Sequence, residues 1–154
     1  MTFHDTMTTG CTDPALQEAF RTYYAELGCR VTNWPGLFEE MTDSGDLFLV
    51  RRNDEGRPIG FLLLAVTDAA TAGRGFFTTK LGCVEEFWVD AAHRSQGHGS
   101  ALLRKAEAHF RAEGCGYAIL TTDTAPDFYR SRGYLLQRGV EALNKADVYV
   151  KPLR

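Results

Sequence analysis

Between Val84 and Leu103 the chain reads VEEFWVDAAHRSQGHGSALL: a strand, a glycine-punctuated turn and the start of a helix. The turn carries Arg94-Ser95-Gln96-Gly97-His98-Gly99, an R-x-x-G-x-G pattern, and leads into Ser100. A turn of this kind at a helix N-terminus aims several backbone N–H groups at one spot. The helix dipole adds partial positive charge there, so the arrangement suits a pyrophosphate. Gly97 and Gly99 remove the Cβ atoms that would keep such a ligand off the backbone.

A second segment follows about forty residues later. Ala125-Pro126-Asp127-Phe128-Tyr129-Arg130-Ser131-Arg132-Gly133-Tyr134 has the form A-x-x-x-Y-x-x-x-G-Y. The first segment resembles motif A of the GCN5-related N-acetyltransferases. Val89, Ala91, Arg94, Gly97 and Gly99 fall where that family shows V-x-P-x-x-R-x-x-G-x-G, with Ala91 in the place of the common proline. The second resembles the same family's A-x-x-x-Y-x-x-x-G-F segment. The likeness runs over about residues 46 to 153, and more loosely over the N-terminal third.

The resemblance implies a single-domain α/β acyltransferase fold over residues 1–154, with a mixed, mostly antiparallel sheet flanked by helices. It also implies acetyl-CoA as donor and direct transfer to a primary amine, with no metal. The strand's backbone at Phe87 and Val89 would hold the pantetheine arm, with Trp88 between them. An N–H near Val89 would stabilise the tetrahedral oxyanion. Ser95, Gln96, Gly97, His98, Gly99 and Ser100 would cradle the pyrophosphate, with the backbone carrying most of the binding and Arg94 adding a phosphate contact. Tyr129 takes the position of a general acid that protonates the departing thiolate. Arg130 and Arg132 would reach toward the CoA 3′-phosphate.

The acceptor arrives as an ammonium and needs a base. Glu85 and Glu86 are adjacent on the strand, so they face opposite sides. VEEFWV is similar to the corresponding strand of polyamine and related small-amine acetyltransferases, where an acidic pair precedes two aromatics. On that match Glu85 is the base and Glu86 its acidic neighbour. Glu39, Glu40, Asp43 and Asp46 would favour a cationic acceptor. A small cationic amine leads, a protein N-terminus or lysine comes next, and a non-catalytic acyl-CoA sensor is the third reading. His98 is expected to serve the turn's backbone, and His4, His93 and His109 to be surface residues.

The elements that must position these groups alternate. A short strand is expected over 2–5. Asp13-Pro14 starts a helix that Gly28 ends, with Leu16, Phe20, Tyr23, Tyr24 and Leu27 at helical spacing. A second helix covers Trp34 to Met41. Leu47–Arg51, the Asn53–Arg57 turn and Ile59–Val66 form a hairpin. A small-residue loop spans Asp68 to Lys80, and a strand covers Val84–Val89. Leu102, Leu103, Ala106 and Phe110 line one face of the next helix. A strand at Tyr117–Thr122, a short helix at Ala125–Arg132 and a closing hairpin ending near Val148–Val150 complete the order.

The remaining composition excludes more than it identifies. A chain of 154 residues can bury one core. A net charge of −3 gives no footprint for nucleic acid. The longest apolar run, Ile59 to Val66, is too short to span a bilayer, and no leader is apparent. Cys11, Cys29, Cys83 and Cys115 lack metal-ligand spacing and are expected as reduced thiols in a cytoplasmic protein. The Gly turn lacks the G-K-[ST] ending of a nucleotide-binding loop. A homodimer is a common arrangement in the resembled family.

Overall fold

Strand and helix boundaries follow local chemistry closely where that chemistry is strong. The structure, a computed structural model, describes residues 2–67, 80–122, 125–138 and 146–153. Helix α1 spans Pro14–Leu27: the Asp13 carboxylate accepts from the Ala15 N–H, and Gly28 closes the helix. Helix α2 spans Trp34–Asp43, running past the expected Trp34–Met41 to Asp43, and starts on an Asn33 cap that accepts from the Gly36 N–H.

The strands form one seven-stranded sheet in the order β1-β2-β3-β4-β5-β7-β6. These are β1 (His4–Thr9), β2 (Leu47–Arg52), β3 (Pro58–Thr67), β4 (Leu81–Val89), β5 (Tyr117–Thr122), β6 (Leu135–Leu136) and β7 (Asp147–Pro152). The β1–β2, β2–β3, β5–β7 and β6–β7 ladders are antiparallel. The β4–β5 ladder is parallel and pairs Leu81, Gly82 and Cys83 with Tyr117, Ala118 and Ile119.

Two strands differ from expectation. β1 runs over His4–Thr9 rather than 2–5, because its polar sequence has no alternation and its limits come from pairing with β2. β4 begins three residues before Val84, where Gly82 interrupts the apolar pattern. A Cβ on Gly82 would stand 2.2 Å from the Phe110 ring, so only glycine lets that ring lie across the strand. The expected loop at 68–80 falls outside the described residues except for Lys80, as does 139–145 within the closing hairpin.

The chain divides into two compact units. The first comprises Met1–Leu64 and Glu86–Ala106. Its core gathers Leu16 and Phe20 of α1, Phe38 of α2, Phe48 and Phe61 of the sheet, and Trp88. Phe20 is fully buried and meets Phe38, Phe48 and Phe61 ring to ring. The second unit comprises Ala65–Glu85 and Glu107–Arg154, with Leu81, Ile119, Val148 and Val150 at its centre. There Glu107 accepts from the Tyr134 hydroxyl at 2.8 Å and from Lys151 at 2.9 Å. All four cysteines are free; Cys29 alone is exposed. Among the described residues, no helix is long and apolar enough to cross a membrane, and no cluster of His, Cys, Asp and Glu could hold a metal ion.

Candidate acyl-transfer site

The glycine turn lies between a 3-10 turn at Ala91–His93 and helix α3 (His98–Ala112). Ser95 at φ 62° and Gly97 at φ 89° both sit in left-handed backbone, and together they redirect the chain into the helix. Around the position of a Cβ on Gly97, no described atom outside its chain neighbours comes within 4 Å. The first helical hydrogen bond runs from Ala101 N–H to Gly97 carbonyl at 3.1 Å. The amides of His98 and Gly99 precede that donor in the first turn of α3, where backbone N–H groups have no i−4 carbonyl within their own helix. Ser95, Gln96 and Gly97 are exposed. The turn thus combines open space, a glycine in left-handed backbone and a helix N-terminus, a donor set that fits a pyrophosphate.

Three residues of the motif are placed differently from expectation. Gly99 is the second residue of α3 rather than part of the turn. Arg94 is committed to the protein: its Nε donates to the Val89 carbonyl at 2.9 Å, and its Nη2 pairs with Glu26 of α1. His98 is buried, with its ring packed on Phe3 and beside Arg51. Burial, then Arg51 and His93, push its pKa below the ordinary histidine value, against Asp5. His93 is half-buried, not a surface residue, and meets Asp90 at 3.0 Å.

The two glutamates of β4 are separated by environment. Glu85 is exposed. Glu86 is half-buried and shares its strand face with Trp88, whose indole donates to Glu26 at 3.3 Å. The Tyr23 phenol of α1 hydrogen-bonds to the Glu86 side chain and meets the Phe87 backbone. Burial and then Glu86 raise the Tyr23 pKa, and the same two causes raise that of Tyr24. Around this carboxylate the rings run on: Tyr24 lies 5.7 Å from Trp34, Trp34 stacks on Phe38 at 5.5 Å, and Phe61 lies 5.5 Å from both Tyr23 and Trp88. The outer faces of Trp34 and Phe38 already hold a cation, the Arg21 guanidinium, at 5.9 and 5.3 Å.

Sequence reading missed the roles open to Tyr23, Tyr24 and Trp34, because aromatic residues at helical spacing read as core. Of the acidic group, Glu39 and Asp43 border a cleft of about 460 Å³ with Arg21 and Phe38. Asp46 is half-buried, and burial followed by Glu40 raises its pKa.

In the second unit, Tyr129 lies on α4 (Pro126–Arg130). Its ring packs edge-on against Phe128 and Tyr134 at 5.1 and 5.8 Å, and burial pushes its pKa up to about 12. The flanking arginines make local contacts. Arg132 lies 3.7 Å from the Phe128 ring centroid, and Arg130 donates to the Tyr149 hydroxyl at 3.3 Å.

A mixed sheet, an open Gly turn feeding a helix and a carboxylate beside that turn's strand are the parts of an acyl-CoA acyltransferase. Residues 13–139 match the model of the acetyltransferase (GNAT) family, and the chain belongs to that family. Over 60 residues it is 45% identical to blasticidin-S acetyltransferase of Streptomyces morookaense, a match spanning 37% of this chain and 44% of that protein. It is similar in structure to nourseothricin acetyltransferase, with a TM-score of 0.55 and 25% identity over 73% of this chain and 68% of the other. It also resembles a chain of the NatC complex bound to Gag peptide and CoA, with a TM-score of 0.66 and 14% identity over 98% and 99% of the two chains. The chain's match spans less than half the length of the curated relative, and the family to which the chain belongs uses acetyl-CoA.

Proposed function

We propose that the chain acetylates the primary amine of a small cationic molecule, with Glu86 rather than Glu85 as the base. The observation that carries this reading is the half-buried Glu86 carboxylate set among Tyr23, Tyr24 and Trp88. An alkylammonium fits such a site twice over, through the carboxylate and through the aromatic faces. The likeness to acetyltransferases named for blasticidin S and nourseothricin supports a small-molecule acceptor.

The donor supplies an acetyl thioester, whose pyrophosphate would sit on the amides from Gly97 to Ser100. Phe87 and Val89 would hold the pantetheine arm through their backbone. Because Tyr23 meets both Glu86 and the Phe87 backbone, the acceptor box adjoins the strand that carries the donor. Glu86 takes the ammonium proton, the freed amine forms the C–N bond, and the C–S bond breaks. Tyr129 gives its hydroxyl proton, or a strong hydrogen bond, to the leaving sulfur.

Both tryptophans of the chain, Trp34 and Trp88, belong to the aromatic cluster, so intrinsic fluorescence reports on it. Titrating the CoA-loaded protein with diamines and aminoglycosides is expected to change that emission saturably. A saturable response to lysine peptides but to no small amine would transfer the assignment to peptide acceptors.

A further inference from the structure

His98 is the first residue of α3, yet beside the exposed turn its ring is buried, among groups from β2, the 3-10 turn and the segment before β1. Arg51 of β2 places Nη1 at 3.1 Å from His98 Nδ1. Phe3 meets the ring edge-on at 4.4 Å, and His93 of the 3-10 turn lies at 5.9 Å, itself paired with Asp90. Arg51 is in turn gripped by Asp5, its cross-strand neighbour on β1, at 2.8 and 2.9 Å. Lys105, two turns along α3, reaches the same Asp5 carboxylate. Helix α3 is therefore tied to one charge cluster at two points, and the first of them is the residue whose amide opens the helix.

A guanidinium has donors only, so His98 Nδ1 must be the acceptor and carry no proton. Protonation would remove that lone pair and set an imidazolium against Arg51, with His93 as the second nearby cation and Asp5 as the opposing charge. We propose that His98 is a positioning residue for the cofactor turn: its neutral ring, anchored on Arg51, holds the first-turn amides of α3 in line for the pyrophosphate, and protonation releases them. Burial and the Arg51 charge, which disfavour the imidazolium, act in the same direction. The inference rests on the reading of the turn as the CoA site.

Two measurements test it. The first is calorimetric titration with CoA at pH 8.0 and pH 5.5. The asparagine of His98→Asn can accept from Arg51 but cannot titrate, and every other group is common to the two proteins. The affinity of the wild type is expected to fall about tenfold more over this range than that of His98→Asn, the scale of one hydrogen bond to a charged group. Equal falls overturn the proposal. The second follows His98 by NMR in the wild type, so it needs no variant. An anion merely nearby raises the pKa of a histidine. A positioning residue whose protonation weakens binding has its pKa lowered by the ligand, because linkage is reciprocal. CoA is expected to lower the His98 pKa; no change or a rise overturns the proposal. If the wild type binds no CoA at pH 8.0, the cofactor-site reading fails and takes this inference with it.

Discussion

At the scale of single residues, two adjacent carboxylates differ in surroundings, and that difference is the ground for proposing Glu86 as the base. Glu85 is exposed, whereas Glu86 is held by Tyr23 among aromatic rings. Glu86→Gln is expected to lower turnover about a hundredfold at neutral pH, with partial recovery as rising pH supplies free amine. Glu85→Gln should stay within a few fold. The reverse order in pH–rate profiles returns the base role to Glu85. The adjacency was legible in the sequence, because a strand sends neighbours to opposite faces. Which face carries α1 was not, since that depends on Glu86 meeting Tyr23 and Trp88 meeting Glu26 across 62 or more residues of chain. The role proposed for Tyr129 comes from its motif. With a pKa near 12 its phenol is protonated at any working pH, but it donates less readily than a free tyrosine. Tyr129→Phe should therefore lower turnover by about ten- to a hundredfold with little change in acetyl-CoA affinity. Unchanged turnover would leave solvent as the proton source.

At the scale of elements, the turn and α3 bear the cofactor reading. Gly97→Ala forces a side chain into φ 89°, a cost of about 1–2 kcal/mol. It also fills the open space beside the first-turn amides. Thermal melting should show the strain, and calorimetry a loss of CoA affinity of at least tenfold. A destabilised protein with undiminished affinity would detach the turn from the cofactor. Helix limits were readable wherever one residue acts on its own neighbours, as Asp13 and Gly28 do for α1. β1 was misread because HDTMTT carries no periodic signal, and its partner lies about 45 residues away. The start of β4 was hidden by Gly82, whose reason for being glycine is the Phe110 ring. Arg94 was legible as a motif residue, but its partner Glu26 was not, being 68 residues distant.

At the scale of the whole molecule, charge clusters bind distant segments and leave a signature in acid. Asp5 is drawn down to a pKa of about 2, first by its hydrogen bond to Arg51 and then, against burial, by Lys105. Its unfolded value is 3.8, so the group adds stability above that pH and loses it as pH falls toward 2. The contribution is about 2 kcal/mol. Urea denaturation should show Asp5→Asn less stable than the wild type near neutrality, with the gap closing between pH 4 and pH 2; a constant gap would contradict the pairing. The family and its fold were legible from two short motifs, because they are stretches where backbone geometry and ligand demand the same residues. The acceptor was not, because the walls proposed for it come from α1, α2 and β4 and share no local pattern.

The central claim is acetyl transfer to a small cationic amine, and free-thiol release from acetyl-CoA tests it most directly. The assay is run on the wild type across polyamines, aminoglycosides, amino acids and lysine peptides, with products weighed by mass spectrometry. Thiol release driven by at least one small cationic amine, with a product heavier by one acetyl group, is the predicted result. Tight acetyl-CoA binding without amine-dependent release from any member of the panel would contradict it and leave a CoA-binding domain without turnover.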